Sequence, residues 1–148
     1  HYRSHSFPTR RSSDLDINLE TGLSLVQKDD NYINFLLKQD GKKSYLKVEV
    51  KERNKQPWLN EKKISMNTDK IILKIIANSS DYSFSYSTDN GNTFKSFVRT
   101  ATNLILSNNS YTGAHLGLYI NSLDKNQRFV DVDRFSINYK LELNKSKL

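Results

Sequence analysis

Two carboxylates near the C-terminal end of the sequence have the types and spacing that could carry out chemistry. Asp131 and Asp133 lie two residues apart in FVDVDRF, so on a strand both would point to the same face. Paired carboxylates serve as acid and base in glycoside hydrolysis, and they also bind calcium. Two neighbours on one strand do not ensure the separation or the concave pocket that a glycosidase needs. A structural pairing with a lysine or with the backbone is therefore favoured.

A second set of candidates consists of single residues without partners in the sequence. His115 has no carboxylate partners at metal-ligand spacing and no Ser–His–Asp arrangement around it, so a structural or surface role is favoured. The chain has no cysteine, which excludes disulfides and thiolate metal sites. Trp58, in KQPWLNEKK, would stack on a sugar if exposed or close the end of a sandwich if buried, and burial is expected.

The stretch SYSTDNGNTF, residues 85–94, predicts a tight hairpin turn. Asp89 is expected to accept backbone hydrogens, Gly91 to adopt a positive φ, and Phe94 to pack beneath the hairpin. The pattern S-x-D-x-G-x-T-F resembles the Asp-box of sialidases, where it is structural and repeats several times. Here it occurs once, so we predict a structural turn and no catalytic role.

The N-terminal segment has a different character from the rest of the chain. HSFPTRRSSDL, residues 5–15, resembles the in-frame translation of a common DNA-sequencing adapter, and it lacks the apolar core of a signal peptide. We interpret residues 1–15 as adapter-derived or disordered and outside the fold, a natural basic tail being the alternative. Without three Arg and one Asp, the net charge falls from +7 to +5. The natural start is then expected further upstream.

The elements that would position these residues are short strands. Apolar residues alternate with polar ones through most of the chain, and turn signals such as KDDN, QDGK and NSSD separate the alternating stretches. This pattern predicts an all-β antiparallel sandwich over residues 16–140, followed by a tail at 141–148. Residues 100–107 alone suggest a helical turn. The predicted strands are 23–28, 32–38, 45–52, 62–66, 70–77, 81–88, 94–98, 113–121 and 129–139.

The charge distribution argues against two classes of partner. Lysines are spread through the strands beside Asp and Glu, whereas a nucleic-acid-binding protein tends to cluster them on one face. No apolar run approaches the roughly 20 residues that a membrane-spanning helix needs. We therefore expect neither a nucleic acid nor a membrane as partner.

Three segments in order carry a family resemblance. TGLSLVQKDDNYINFLL (21–37) is similar to an AGL-x-x-x-Q-x-x-x-NY opening. IILKIIANSSDYSFSYSTDNGNTF (71–94) and SYTGAHLGLYINS…FVDVDRFSI (110–137) are similar to LKIxA…YxFxYSxDG and FTGAFxGLYA…ADFDWF patterns. Together, across residues 21–139, they resemble the C-terminal concanavalin A-like module of glycoside hydrolase family 43 β-xylosidases.

The resemblance implies a jelly-roll-like sandwich that normally begins with further strands, so the first strands are expected to be missing and a sheet edge to be unpaired. It also implies a partner, the five-bladed catalytic propeller of the same parent chain, with a xylo-oligosaccharide or arabinoxylan as substrate. No propeller motif is present, so this chain is not expected to hydrolyse anything alone. No cofactor is implied, calcium is left open, and the compartment is open among cytoplasm, periplasm and exterior.

The resemblance further implies that the sandwich lends one aromatic residue to the active-site funnel of the propeller. Tyr111 stands where the family has Phe before Thr-Gly-Ala, and His115 is assigned to the same pocket contribution. Phe94 replaces a common Trp, while Arg134 and Ile137 replace aromatics in the last strand. These departures leave xylosidase, arabinofuranosidase and related activities open.

Two other classes of function remain open from the residues. A free-standing carbohydrate-binding module would present Tyr119, Tyr32 and Trp58 as a row of exposed rings. A laminin G-like adhesion module would have no such aromatic platform.

Overall fold

The computed structural model describes residues 2–8, 17–66, 68–78, 81–101 and 114–138. Its strands are β1 Tyr2–Pro8, β2 Asn18–Lys28, β3 Asn31–Asp40, β4 Lys43–Glu52, β5 Trp58–Ile64, β6 Lys70–Ala77, β7 Asp81–Ser87, β8 Lys95–Ala101, β9 His115–Ser122 and β10 Arg134–Asn138. They form two five-stranded antiparallel sheets, which confirms the predicted β-sandwich. Sheet A has the order β10-β1-β6-β7-β8, and sheet B has the order β5-β4-β3-β2-β9. Within the described ranges, no helix is long and apolar enough to cross a membrane.

Sheet B is built mainly from hairpins between consecutive strands. β2, β3, β4 and β5 pair in sequence order, and β9 then adds to the free side of β2. Because side chains alternate between faces, the register places Leu23, Phe35 and Val48 in one row across the sheet. All three are fully buried, so this row belongs to the core.

The core lies between the two sheets and is centred on aromatic rings. Phe35 of sheet B meets Phe84 of β7 edge to face, with ring centroids 5.3 Å apart, and stacks on Phe97 of β8 at 6.1 Å. Leu73 and Ile75 of β6 are buried beside them. Each fully buried side chain of this kind contributes about 1.5–3 kcal/mol, so this layer dominates the stability of the fold.

Most strand predictions are confirmed, and the largest misses are at strand starts: β2 begins five residues before the predicted 23–28. β6 covers the predicted 70–77, and β4 and β7 agree within two residues. β5 begins four residues before the predicted 62–66 and β10 begins five residues after the predicted start at 129, so Asp131 and Asp133 precede the strand instead of lying on it. Of the helical turn expected at 100–107, residues 100 and 101 belong to β8. Residues 102–107 and the tail at 141–148 lie outside the described residues.

The N-terminal segment differs from its expected place outside the fold. Tyr2–Pro8 forms β1, which pairs antiparallel with β6 on one side and with β10 on the other. The physical reason is that two facing strand edges present unpaired N–H and C=O groups, and any extended backbone satisfies them regardless of its side chains. The rest of residues 1–15 lies outside the described residues.

The carboxylate of Asp124 links the segment after β9 to the start of β2 through hydrogen bonds. Asp124 accepts hydrogen bonds from the backbone N–H of Asn18 at 2.9 Å and of Asn126 at 2.8 Å. The Nε of Arg128 donates to the same carboxylate at 3.1 Å. The bond from Asn18 is the main reason that the pKa of Asp124 is lowered, because it favours the charged form. These hydrogen bonds at residues 123–128 therefore hold two distant parts of sheet B together.

The edge strand β9 of sheet B exposes apolar residues on the face that is directed towards the core. Leu118 pairs with Leu23, and Ile120 pairs with Thr21, so both lie on the inward side of β9. Each is nevertheless 54% exposed. β9 is the last strand of its sheet, and an apolar edge of this kind favours association with other chains.

Candidate functional site

Several of the sequence-predicted site residues lie on the outer face of sheet B. Tyr32 and His115 both pair with Val26, and Tyr119 pairs with Gly22, so the three side chains share the face opposite the core. Polar residues from β2, β3 and β4 lie on the same face. We call this surface the tyrosine face, and it comprises Glu20, Ser24, Tyr32, Asn34, Lys47, Glu49, His115 and Tyr119.

Small and buried residues form the floor of the tyrosine face. At Gly22, a Cβ atom would collide with the backbone oxygen of Phe35 and lie 2.9 Å from the Cα of Leu36, because β2 approaches β3 closely there. The Ser24 hydroxyl donates to Oδ1 of Asn34 at 2.6 Å, which satisfies two buried polar groups. At Gly117 of β9, by contrast, an added Cβ would have no atom within 4 Å, so there is free space above that residue.

Charged and phenolic groups surround this floor. Nζ of Lys47 lies 3.3 Å from Oε1 of Glu20, and both side chains are largely buried, so the pair is compensated. Burial raises the pKa of Tyr32, and the nearby charge of Glu49, to which Tyr32 donates a hydrogen bond, raises it further. Burial also raises the pKa of Tyr119, followed by the charge of Glu20. Both phenols therefore stay protonated at neutral pH.

These groups suit binding better than acid–base chemistry. Protonated phenols donate hydrogen bonds to oxygen atoms of a partner, but they do not act as bases or nucleophiles. Glu20 already forms an ion pair with Lys47. His115 is exposed at the start of β9, at the end of the face where Tyr32 also lies. The arrangement is a polar surface with the exposed imidazole of His115 at its rim.

Trp58 does not join the other two aromatic candidates. It pairs with Val50, whose side chain is in the core, so it lies on the opposite side of sheet B from Tyr32 and Tyr119. The expected burial of Trp58 is wrong, since its side chain is 44% exposed. The reason is its position on β5, an edge strand of sheet B. The proposed row of three rings is therefore not formed, although two of its members share a face.

Tyr111, the residue implied to reach the substrate pocket, lies outside the described residues. The described part of the chain resumes at Ala114, immediately before His115 and β9.

The turn at residues 87–93 has a dense set of hydrogen bonds. Oδ1 of Asp89 accepts from the Ser87 hydroxyl at 2.7 Å and from the Thr93 backbone N–H at 2.9 Å, while the Gly91 N–H donates to the Ser87 hydroxyl at 2.9 Å. Asn90 and Gly91 have φ of +60° and +87°, which suit this reversal. Nζ of Lys74 lies 4.4 Å from the ring centroid of Phe94, which fixes that ring against β6. The turn connects β7 to β8 in sheet A, whereas the tyrosine face belongs to sheet B.

Acid is expected to weaken this turn through Asp89. Hydrogen bonds from Ser87 and then Thr93 lower the pKa of Asp89 to about 2. Because the folded pKa is below the ordinary value, the carboxylate stabilises the fold above pH 4, and that contribution disappears as pH falls through 2. We expect the unfolding midpoint of Asp89→Asn to fall less than that of the wild type between pH 5 and pH 2. Parallel profiles from thermal melts at several pH values would contradict this assignment.

The carboxylate pair at 131 and 133 has a structural environment. Oδ2 of Asp133 lies 2.9 Å from Nζ of Lys70, and both side chains are partly exposed. This ion pair joins the segment before β10 to the start of β6, so the favoured pairing of the carboxylates with a lysine is observed for Asp133. Across the ranges that the structure describes, no group of three or more His, Cys, Asp or Glu is arranged to hold a metal ion.

Sequence reasoning missed the charged members of the tyrosine face. Glu20, Lys47 and Glu49 come from β2 and β4, which are separated by β3 in the sheet. The alternation in 45–52 does place Lys47 and Glu49 on the polar side of their strand. Their meeting with Glu20 depends on the register of two hairpins, which local patterns do not fix.

The arrangement of two face-to-face antiparallel sheets defines the class of protein as a concanavalin A-like β-sandwich. Residues 12–138 match the family described as the beta xylosidase C-terminal concanavalin A-like domain. The chain belongs to this family. A search of curated proteins found no match.

Solved structures with the same fold include two GH43 proteins and a xylan beta-1,4-xylosidase. One is GH43B of the Bacteroides ovatus xyloglucan PUL, with 17% identity and a TM-score of 0.71. Another is the GH43 BlXynB protein from Bacillus licheniformis, with 18% identity and a TM-score of 0.72. The third is the xylan beta-1,4-xylosidase from Bacillus halodurans C-125, with 10% identity and a TM-score of 0.72. In each case 90% of this chain covers 26% of the other, so it spans about a quarter of their length as an accessory module.

Proposed function

We propose that this module belongs to a glycoside hydrolase of the β-xylosidase or α-L-arabinofuranosidase type and helps close its active site during hemicellulose breakdown. The family match over residues 12–138 is the observation that carries the proposal. The catalytic propeller would be its partner, and a xylo-oligosaccharide or arabinoxylan would be the substrate. The proposal requires no cofactor in the module, and calcium has no assigned role in it.

The geometry of sheet B supports a specific contact region for that partner. His115 and Tyr32 pair with the same residue of β2, at the end of the sheet where the chain enters β9. Because Tyr111 shortly precedes His115 in the sequence, a partner that contacts Tyr111 would also meet the His115 end of the tyrosine face. Neutral phenols and a compensated ion pair are suited to such a contact because they can be desolvated without leaving a free charge.

Recovery of the upstream reading frame from the source DNA is the first test of the parent enzyme. The proposal expects about 300 residues ahead of this module, with three spaced acidic residues of a propeller. A frame that encodes an adhesive or purely sugar-binding neighbour instead would overturn the hydrolase assignment.

In the parent enzyme, Tyr111→Ala is expected to lower kcat/KM for an aryl β-xyloside about tenfold, mainly through KM, because an aromatic wall of the pocket is lost. Tyr111→Phe should remain close to the wild type, since the ring is kept. Tyr45→Ala is the matched control, because Tyr45 lies on the outer face at the opposite end of sheet B, in the row of Glu20. Equal effects of Tyr111→Ala and Tyr45→Ala would count against the pocket role.

A further inference from the structure

The turn between β7 and β8 has an asparagine followed by a glycine at its tip. Asn90–Gly91 is the one Asn–Gly pair in the sequence, and Asn90 is exposed to water. Asparagine is a thermolabile residue. Its side-chain amide is most open to attack by the next backbone nitrogen when that nitrogen belongs to glycine, because glycine has no Cβ in the way. The tip of this turn therefore has the residues that spontaneous deamidation requires.

The reaction needs no cofactor, and its atoms balance with water alone. The backbone nitrogen of Gly91 forms a bond to Cγ of Asn90 and loses its proton, while the bond from Cγ to the amide nitrogen breaks and ammonia leaves. Water then adds to either carbonyl of the resulting succinimide ring. The products are aspartate and isoaspartate, and both are negatively charged at neutral pH. In isoaspartate the main chain passes through Cβ, which lengthens the backbone of the turn.

The hydrogen bonds of the turn hold the attacking nitrogen. The N–H of Gly91 donates to the hydroxyl of Ser87 at 2.9 Å, and that hydroxyl donates to Oδ1 of Asp89 at 2.7 Å. Oδ1 of Asp89 also accepts from the backbone N–H of Thr93 at 2.9 Å. Ser87 is buried, so water does not compete readily for its hydroxyl. The nitrogen must leave this network before it loses its proton and attacks Cγ of Asn90.

We infer that Asn90 is a site of spontaneous deamidation and that the buried hydroxyl of Ser87 sets its rate by retaining the Gly91 N–H. Local opening of the turn governs the rate in the folded chain, whereas the unfolded chain has no such restraint. The inference concerns the chemical ageing of the module, so it does not depend on the proposed function. Its test uses this chain alone and measures no catalysis.

The test incubates the full chain in mildly alkaline buffer and follows the tryptic peptide of residues 75–95 by mass spectrometry. Fragmentation of this peptide distinguishes a mass gain at Asn90 from a gain at Asn78, which lies in the connection between β6 and β7. The gain should appear first at Asn90. It should be at least about tenfold slower in the native chain than in the same chain in urea, because the turn must open first.

Ser87→Ala removes the hydroxyl and should speed deamidation at Asn90 about fivefold, as expected for the loss of a single hydrogen bond. Ser85→Ala is the matched control, because Ser85 lies on β7 outside the turn and pairs with Lys74 and Ser96. Its rate at Asn90 should equal that of the wild type. Asn78 is the internal reference, and its rate should be the same in all three chains.

Three results would overturn the inference. A native chain that gains mass first at Asn78, or not at all while the chain in urea gains it at Asn90, would show that the turn is inert. Equal rates at Asn90 in the wild type and in Ser87→Ala would remove the role of the hydroxyl. If Ser87→Ala sped the reaction at Asn78 as much as at Asn90, general unfolding and not local control would be the cause.

Discussion

Gly22→Ala is expected to destabilise the module by about 3 kcal/mol or more, near the upper end of overpacking effects, because the new methyl group meets backbone and not a movable side chain. A Cβ at this position would overlap the carbonyl oxygen of Phe35, and the Cα of Leu36 is 2.9 Å away. β2 and β3 are inner strands of sheet B, so their separation would disturb the whole sheet. Urea denaturation followed by circular dichroism measures the change.

Gly117→Ala is the matched control for this substitution. Gly117 lies on β9, on the same outer face, but an added Cβ has no neighbour within 4 Å. Its free energy of unfolding should change by less than about 0.5 kcal/mol, as for ordinary surface positions. If both alanine variants lost the same stability, the loss would arise from glycine content in the sheet and not from the close approach of β2 to β3.

Phe35→Ala is expected to cost about 3–5 kcal/mol, the usual range for removing a fully buried aromatic side chain. The ring contacts Phe84 from sheet A edge to face and stacks on Phe97, so its removal leaves a cavity between the sheets. Since domains of this size are stable by only about 5–15 kcal/mol, this loss is a large share of the total, and the guanidinium midpoint should fall markedly.

Phe129→Ala provides the comparison for the loss of a phenyl ring outside the core. Phe129 is 82% exposed, so its truncation should change the free energy of unfolding by no more than about 0.5 kcal/mol. Equal losses at the two positions in guanidinium titrations would contradict the assignment of Phe35 to the centre of the sandwich.

The sequence predicts the strands where alternation is regular. In 70–77, Ile71, Leu73 and Ile75 alternate with more polar neighbours, and these three residues are buried in β6. The same argument holds for β4 and β7, whose buried residues follow period two. The fold class follows from such local patterns because each strand has one face towards the core.

The pairing of distant strands was beyond these patterns. β2 is buried on both faces, and Glu20 and Leu36 are covered on the outer side of sheet B, which alternation does not anticipate. β9 pairs with β2, although the two strands are far apart in the sequence, and β1 pairs with β6 and β10. These registers decide that Tyr32, Tyr119 and His115 share one face and that Trp58 does not. These registers depend on contacts between strands that are distant in the sequence. The sequence therefore predicts the individual site residues but not which of them share a face of the sheet.

The hairpin order of sheet B has a consequence for the path of folding. β2 to β5 are neighbours both in sequence and in space, so this meander closes only short loops and is expected to form first. Three strands of sheet A, β6 to β8, lie between this meander and β9 in the sequence, so the pairing of β9 with β2 closes a long loop and is expected to form late. Until β9 pairs, the free edge of β2 can pair with strands of other chains. Slow completion of sheet B and rising aggregation with protein concentration are the expected signature in refolding experiments.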